Sequence, residues 1–544
     1  MIKTECKIRG LGSRYNASYN FLQKNIEAGR GEKTAIYYGN QSYPYQEIDT
    51  LVNQFGAALK DLGIEMEQRI LLLLHDSPEF IISFFGAIKV GVIPIPSNTL
   101  LLTKDYEYLL NNSRSKVLVT TYEQWEKLKL IKNRLIFLRH VILVDGVDHN
   151  FEEDNEHSFQ DLTRRQNKDL PPCFSNINDQ AFWLYTSGST GEPKGVIHLQ
   201  TDMEEAFKNY AKNILQITEN DITFSASKLF FAYGLGNAMY YPFGAGATTV
   251  LMPDRPTAEK VFETIEKYRP TIFFGVPTLY GSMLNYLEKT KETYDLSSVR
   301  LCVSAGEALP ATYIEQWKRV FGLDIIDGIG STESLHIYIS NQVDDIRQGS
   351  TGKIVPGYEA KIVDEQGHET QVNEVGDLLI KGESIAASYW NLDDENKKKF
   401  FGNWLVTGDK YFKDEGGFYW YAGRNDDMMK VNGIWVSPIE IENAFLSHPD
   451  ILETAVVAVK DENGLIKPKA FIVLKESAES GEGVKARIKG FVKKVLASYK
   501  VPRDIEFVNE LPKTSTGKIK RFKLREPEIK SQSKKDDSIS LNVD

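Results

Sequence analysis

Cysteine is scarce: Cys6, Cys173 and Cys302 are the only three in 544 residues, far apart and without a CxxC spacing. That excludes a disulfide framework and a zinc site built on paired cysteines, and fits a reducing compartment, so a cytoplasmic location is expected. The N-terminal MIKTECKIRG lacks an apolar stretch, so no secretory signal is expected. Long hydrophobic runs are missing too. The most lipid-like window, residues 69–96, is interrupted by His75, Asp76, Glu79 and Lys89, which argues against a membrane span. Nor is there a basic excess: 65 Lys and Arg against 75 Asp and Glu leave a net charge of −10, which argues against a nucleic-acid partner. No internal repeat is visible, and only KSQSKKDDSISLNVD at 530–544 has the composition of a disordered tail.

The rest is an ordinary globular composition, 42% hydrophobic and 26% charged, long enough for about 3–4 folding units. Apolar runs of strand length recur between helical segments: Ile70–Leu74, Val117–Thr120, Val141–Val144, Thr248–Met252, Ile272–Val276 and Leu301–Ser304. This alternation predicts an α/β fold with mainly parallel sheets. Asp76 and Glu79 have capping-box spacing around Pro78 and predict a helix start there. From about Gly349 short strands and tight turns predict a small β-rich subdomain. Ser437 and Glu440 bracket Pro438 as a second capping box, followed by strands at 453–459 and 469–474. The expected organisation is a large N-terminal body at 1–425, a small α+β domain at 426–528 and a tail at 529–544.

The strongest local signal is FWLYTSGSTGEPKGVIH at 182–198. An apolar strand leads into Thr186, Ser187, Gly188, Ser189, Thr190, Gly191, Lys194 and Gly195. Glycines let backbone N–H groups turn inward on an anion, hydroxyls add donors, and Lys194 supplies charge, so a polyphosphate cradle is predicted. It is not the GxxxxGK[ST] loop, because Gly195 and Val196 follow the lysine.

YTSGSTGEPKG resembles the signature of the acyl-adenylate-forming superfamily of acyl-CoA synthetases, adenylation domains and luciferases. Other motifs of that superfamily follow in order. DGIGSTE at 327–333 lies at a strand's carboxyl end, where α/β sheets hold ligands. The resemblance implies that Asp327, Gly328, Ile329, Gly330 and Ser331 lie beneath adenine, that Thr332 contacts the α-phosphate and that Glu333 holds Mg²⁺, an ion that combines few protein oxygens with phosphate oxygens. SAGEALP at 304–310 resembles the stretch lining the adenine pocket, with Gly306 and Glu307. VTGDK and YAGR imply that Asp409 accepts both ribose hydroxyls and that Arg424 reaches the nucleotide; a carboxylate suits a vicinal diol because it only accepts. Asp426 falls where relatives hinge, while Lys430, Gly433 and Trp435 match residues serving the second half-reaction and its CoA tunnel. LPKTSTGKIKR at 511–521 places Lys518 as the mobile catalytic lysine, whose ammonium would stabilise charge at a pentavalent phosphorus.

The stretch SASKLFFAYGLGNAMYYPFGAGAT at 225–248 is aromatic and glycine-rich, and such flat apolar walls suit a flat ring. Together with FGVPTLY, STESLHIYISN and MMKVNGIWVSP it closely resembles benzoate-CoA ligases. That resemblance implies a ring pocket of Phe231, Ala232, Tyr233, Gly234, Gly330, His336 and Ile337. His336 would donate to the substrate or simply pack. Where the pattern more often carries Met and Phe, this chain has Ser334 and Tyr338; these hydroxyls would favour a hydroxy- or aminobenzoate or would face away from the ring.

The resemblance thus implies an ATP-dependent aryl-CoA ligase using Mg²⁺ and coenzyme A, acting on an aromatic carboxylic acid in aromatic-compound catabolism. Two enzyme alternatives share the nucleotide motifs: an aryl adenylating enzyme that loads a carrier protein, and an alicyclic or medium-chain acyl-CoA ligase. A non-catalytic nucleotide-binding regulator would not need Lys518, Glu333 and Asp409 together. Lys493, Lys494, Lys500, Lys520, Arg521 and Lys523 would meet CoA phosphates or form a solvated basic face. Oligomeric state is left open between monomer and homodimer.

Overall fold

The computed structural model describes residues 14–145, 155–166, 168–186, 192–431, 434–460, 465–476, 478, 481–513 and 519–525. Parallel strands dominate two sheets. The larger runs, in spatial order, Lys353–Ile354, Ile337–Ser340, Ile325–Gly330, Leu301–Ala305, Ile272–Gly275, Ile222–Ser225, Thr248–Leu251, Thr34–Tyr38 and Gln41–Pro44. Its six central strands pair parallel, and both edges are closed by antiparallel strands. The second sheet is parallel throughout, ordered Ile93–Pro96, Arg69–Leu73, Val117–Thr120, His140–Leu143 and Glu156–Ser158. Strands such as Val117–Thr120 and Ile272–Gly275 are buried at every position, as parallel strands covered on both faces must be. Each of the six expected strands forms, with ends shifted by at most one residue.

The helix start near Pro78 differs by one position. Ser77, not Asp76, caps Pro78–Lys89, accepting from the Phe80 N–H. Asp76 is instead buried, accepts the Leu229 N–H at 2.9 Å and lies 3.6 Å from the Lys228 ammonium, so its carboxylate ties this helix to the segment that opens the aromatic stretch. A local rule cannot see a partner more than 150 residues away.

The β-rich subdomain is an antiparallel sheet of Tyr358–Val363, Gly376–Gly382, Trp404–Lys413 and Phe400–Phe401, with Tyr419–Arg424 paired to Trp404–Lys413. Beyond it, Met429, Val436, Ile441, Phe445, Val456, Ile472, Ile488 and Ile505 build a separate hydrophobic core. Ser437 caps Pro438–Leu446 through the Glu440 N–H, as expected. The strands Ile451–Lys460, Ile466–Leu474 and Asp504–Phe507 form its sheet. The molecule is therefore α/β, a large N-terminal body with a β-rich subdomain followed by a small α+β domain. Among the described residues no helix is long and apolar enough to cross a membrane.

Candidate active site

The phosphate motif is a hairpin. Gln180–Thr186 pairs antiparallel with Lys194–Leu199, setting Thr186 opposite Lys194. Ser187, Gly188, Ser189, Thr190 and Gly191, the tip, lie outside the described residues. Ser388–Tyr389 adds a third strand on the Lys194 side, so the Tyr389 ring lies 5.4 Å below the Lys194 ammonium. That ammonium also meets the Glu395 carboxylate at 2.7 Å.

The DGIGSTE motif is partly strand. Ile325–Gly330 runs through Asp327, Gly328 and Ile329 before the chain turns at Ser331, so the strand ends four residues beyond the apolar run Leu323–Ile326. Asp327 is buried, and burial pushes its carboxyl well above the ordinary range. Gly330 is required by packing, since a Cβ there would fall 2.5 Å from the His336 carbonyl oxygen. The turn is closed by two serines: the Ser331 N–H donates to Ser334 Oγ at 3.0 Å and the Ser334 N–H to Ser331 Oγ at 3.2 Å. Thr332 is held from outside the motif. His198 donates from Nε2 to its carbonyl at 2.9 Å, while His198 Nδ1 lies 3.0 Å from Asp202 Oδ2.

Glu333 is buried, and Tyr389 donates its hydroxyl to Oε1 at 2.6 Å. Burial alone would raise the Glu333 pKa, but the nearby Lys399 ammonium and the Tyr389 bond outweigh it, so the group is held below the usual carboxylate range. The hairpin Trp404–Lys413 with Tyr419–Arg424 brings together two residues expected at the nucleotide: Asp409 registers with Arg424, and the guanidinium donates to Asp409 Oδ1 at 3.2 Å. The Asp409 carboxylate raises the Arg424 pKa. The Asp409 N–H is anchored on Thr407 Oγ1, which itself donates to the Leu378 carbonyl.

Gly306 and Glu307 follow the strand Leu301–Ala305, and Glu307 accepts the backbone N–H of Ile519 at 3.1 Å. A segment of the small domain therefore rests on the large body here. Lys518 and Gly433 lie outside the described residues. Lys430 and Trp435 face each other in the backbone register of the short hairpin Met429–Val431 and Ile434–Val436. The Asp426 carbonyl accepts from Arg525 at 3.2 Å.

The aromatic stretch closes the far side of the Gly330 turn. Phe231, Ala232 and Tyr233 are half-buried, and Tyr233 lies 5.5 Å from His336 between ring centroids. Ile337 packs against Gly328. Gly234 has a backbone reason to be glycine: a Cβ would fall 2.1 Å from the Lys228 carbonyl oxygen. His336 is surrounded by Tyr210, Tyr233, Tyr240 and Tyr241, and its Nε2 lies 3.1 Å from Asn237 Oδ1. Burial drives its pKa down to about 3, so the ring is neutral near pH 7. The two hydroxyls that depart from the family pattern face away from this cluster. Ser334 Oγ donates to the His336 carbonyl within its own turn, and Tyr338 faces the Asp409 and Arg424 side.

Four contributors escaped the sequence reading: His198, Tyr389, Glu395 and Lys399. Lys399 ends the helix Asp393–Lys399 and donates to the Thr407 carbonyl at 3.0 Å. It was hidden in DDENKKK, which looks like an ordinary solvated charge run. Of the basic residues considered for CoA, Arg521 is already committed to Glu442 through two bonds of 2.9 and 2.8 Å, and Lys500 to Glu440 at 2.6 Å.

Residues 22–390 match the AMP-binding enzyme family and residues 440–518 the AMP-binding enzyme C-terminal domain. The chain belongs to the AMP-binding enzyme family. Among family members it is 46% identical over 514 residues to a benzoate–CoA ligase of Thauera aromatica, covering 94% of this chain and 96% of that one. It is 43% identical to a 4-hydroxybenzoate–CoA/benzoate–CoA ligase of Rhodopseudomonas palustris, covering 94% of each. The crystal structure of an anthranilate CoA ligase in complex with anthranoyl-AMP superposes with a TM-score of 0.91 at 42% identity, over 96% of this chain and 99% of that one. A benzoate CoA ligase from Burkholderia xenovorans LB400 gives 0.85 at 40% identity, over 94% and 100%.

Proposed function

We propose that this AMP-binding enzyme is an ATP-dependent, AMP-forming aryl-CoA ligase acting on benzoate or a close ring analogue. The observation that carries the reading is the 46% identity to a benzoate–CoA ligase across 94% of the chain. The geometry agrees: the Lys194 hairpin, the Thr332–Glu333 turn and the Asp409–Arg424 pair share one electrostatic neighbourhood beside an aromatic cluster.

In the first displacement a carboxylate oxygen of the acid attacks the α-phosphorus of ATP. The bond to the bridging oxygen breaks, and pyrophosphate leaves. Lys194 and Lys518 would draw off charge from the phosphates, Asp409 and Arg424 would orient the nucleoside, and Thr332 would fix the α-phosphate. In the second displacement the CoA sulfur attacks the acyl carbon, the carbon–oxygen bond of the mixed anhydride breaks, AMP leaves, and the thiol proton is released. Rotation about Asp426, between domains at 1–425 and 426–528, would withdraw Lys518 and present Lys430, Gly433 and Trp435.

Glu333 fits Mg²⁺. It is a buried hard-oxygen donor held ionised, and among the described residues no cluster of three or more His, Cys, Asp or Glu side chains is assembled to hold a metal, so most of the ion's shell would come from phosphate and water. When bound with ATP the ion would neutralise phosphate charge. We place the enzyme in the cytoplasm, where ATP and CoA are available.

The test is pyrophosphate and AMP release with MgATP and benzoate, 4-hydroxybenzoate, 2-aminobenzoate, cyclohexanecarboxylate or hexanoate, each with and without CoA. CoA-dependent turnover on an aromatic acid is expected. Release limited to one equivalent regardless of CoA would point to a carrier-protein acceptor, and preference for hexanoate would overturn the aryl assignment.

A further inference from the structure

The helix Asp393–Lys399 carries three consecutive lysines that do different things. Lys397 lies 3.3 Å from Asp394 and Lys398 3.5 Å from Glu395, and both are about three-quarters exposed. Lys399 turns inward. Its ammonium donates to the Thr407 carbonyl at 3.0 Å, on the strand that leads into Asp409. Glu333 and Asp409 act on it electrostatically as carboxylates, and Arg424 and Lys194 as cations.

Among the described residues Lys399 forms no ion pair within 4 Å; its one hydrogen bond goes to a neutral carbonyl. Half-burying a cation without a contacting carboxylate is unfavourable, and desolvation lowers the Lys399 pKa against the opposing pull of Glu333. A fold that needed only to cap the Thr407 carbonyl could do so with a neutral donor. The position is also informative. Glu333 marks one end of the expected phosphate path and Asp409 the ribose end, and Lys399 feels both carboxylates. Its neighbours already satisfy one another: Arg424 contacts Asp409, and Lys194 contacts Glu395. Of these three cations Lys399 is the one that, among the described residues, has no carboxylate within 4 Å.

We propose that Lys399 is a phosphate-binding residue of the nucleotide site, meeting the phosphate chain of ATP where it passes from the ribose toward Glu333. This rests on the site being a nucleotide site, as proposed above. Lys399 adds a cation from the β-rich subdomain to those from the glycine-rich hairpin and the small domain. It would serve ground-state ATP binding and then stabilise the leaving pyrophosphate.

The experiment compares MgATP and adenosine binding by calorimetry in the full chain, for the parent enzyme and for Lys399→Gln and Lys399→Arg, with thermal unfolding as a fold check. Gln retains a donor for the Thr407 carbonyl but loses the charge; Arg retains both. Lys399→Gln should weaken MgATP about tenfold to a hundredfold, the range of one charge-assisted phosphate contact, and leave adenosine within about twofold. Lys399→Arg should recover most of the loss. Unchanged ATP affinity in folded Lys399→Gln, or equal weakening of ATP and adenosine, would overturn the assignment in favour of a purely structural role. A parent enzyme that binds ATP but activates no acid would defeat the functional reading alone, and one that binds no ATP would defeat both. Should Lys399→Gln fail to fold, Lys399→Met is read in its place: loss of ATP affinity with adenosine retained supports the phosphate contact, and unchanged ATP affinity or equal loss of both overturns it.

Discussion

The carbonyl of Thr332 accepts a hydrogen bond from His198, 134 residues earlier, at 2.9 Å. Asp202 holds the other ring nitrogen at 3.0 Å. The bond ties the strand carrying Lys194 to the turn carrying Thr332 and Glu333, and so makes the spacing of two nucleotide motifs depend on one buried side chain. His198→Ala is expected to lower kcat for acid-dependent pyrophosphate release about tenfold to a hundredfold, because the carbonyl loses a buried partner and the turn loses its anchor. Reaction of a supplied aroyl-adenylate with CoA should fall much less. His198→Gln, which retains one donor, should recover part of the loss; equal losses in both half-reactions would point to general destabilisation.

Lys194 and Glu395 are paired at 2.7 Å, and ATP must compete with that carboxylate. Glu395→Gln is therefore expected to lower the KM for MgATP about two- to fivefold, the worth of a partly exposed ion pair, with the KM for the acid unchanged. Steady-state kinetics at fixed acid and CoA read this directly. A raised KM for ATP would mean that Glu395 orients Lys194 rather than restraining it.

Ile519 rests on Glu307 through its backbone N–H, which puts the segment following Lys518 against the large body. Lys518→Ala should slow adenylate formation by orders of magnitude and spare conversion of a supplied adenylate. Asp426→Pro, at the proposed hinge, should trap one domain arrangement and spare one half-reaction only. Single-turnover assays of each half-reaction separate these outcomes, and unaltered overall turnover in Asp426→Pro would falsify the hinge position.

His336 is fully buried, with a pKa brought from 6.5 to about 3 by burial. The unfolded chain therefore takes up a proton first as pH falls, and the folded state resists. The neutral ring's contribution is complete above about pH 6.5 and is lost as pH drops from there toward 3, the loss reaching about 2 kcal/mol at pH 5. His336→Gln should flatten the fall in unfolding temperature between pH 7 and pH 5 relative to the parent. Parallel pH profiles would show that the ring titrates normally.

The sequence by itself determined the α/β layering, the central strands and the nucleotide motifs. Those features are local: a parallel strand announces itself by an unbroken apolar run, and a phosphate loop by contiguous glycines, hydroxyls and a lysine. It also paired Asp409 with Arg424 in role, and the hairpin register then paired them in space. Only the tertiary structure decided the rest. Asp76 gave up the expected cap to Ser77 because its carboxylate bonds Leu229. Ser334 turned away from the ring cluster because its hydroxyl is committed to its own turn. Tyr389, His198 and Lys399 joined the site because strands and a helix distant in sequence converge on Glu333, Thr332 and Thr407. A hydrogen bond or a buried charge depends on what stands within a few ångströms, and the order of residues along a chain does not carry that distance.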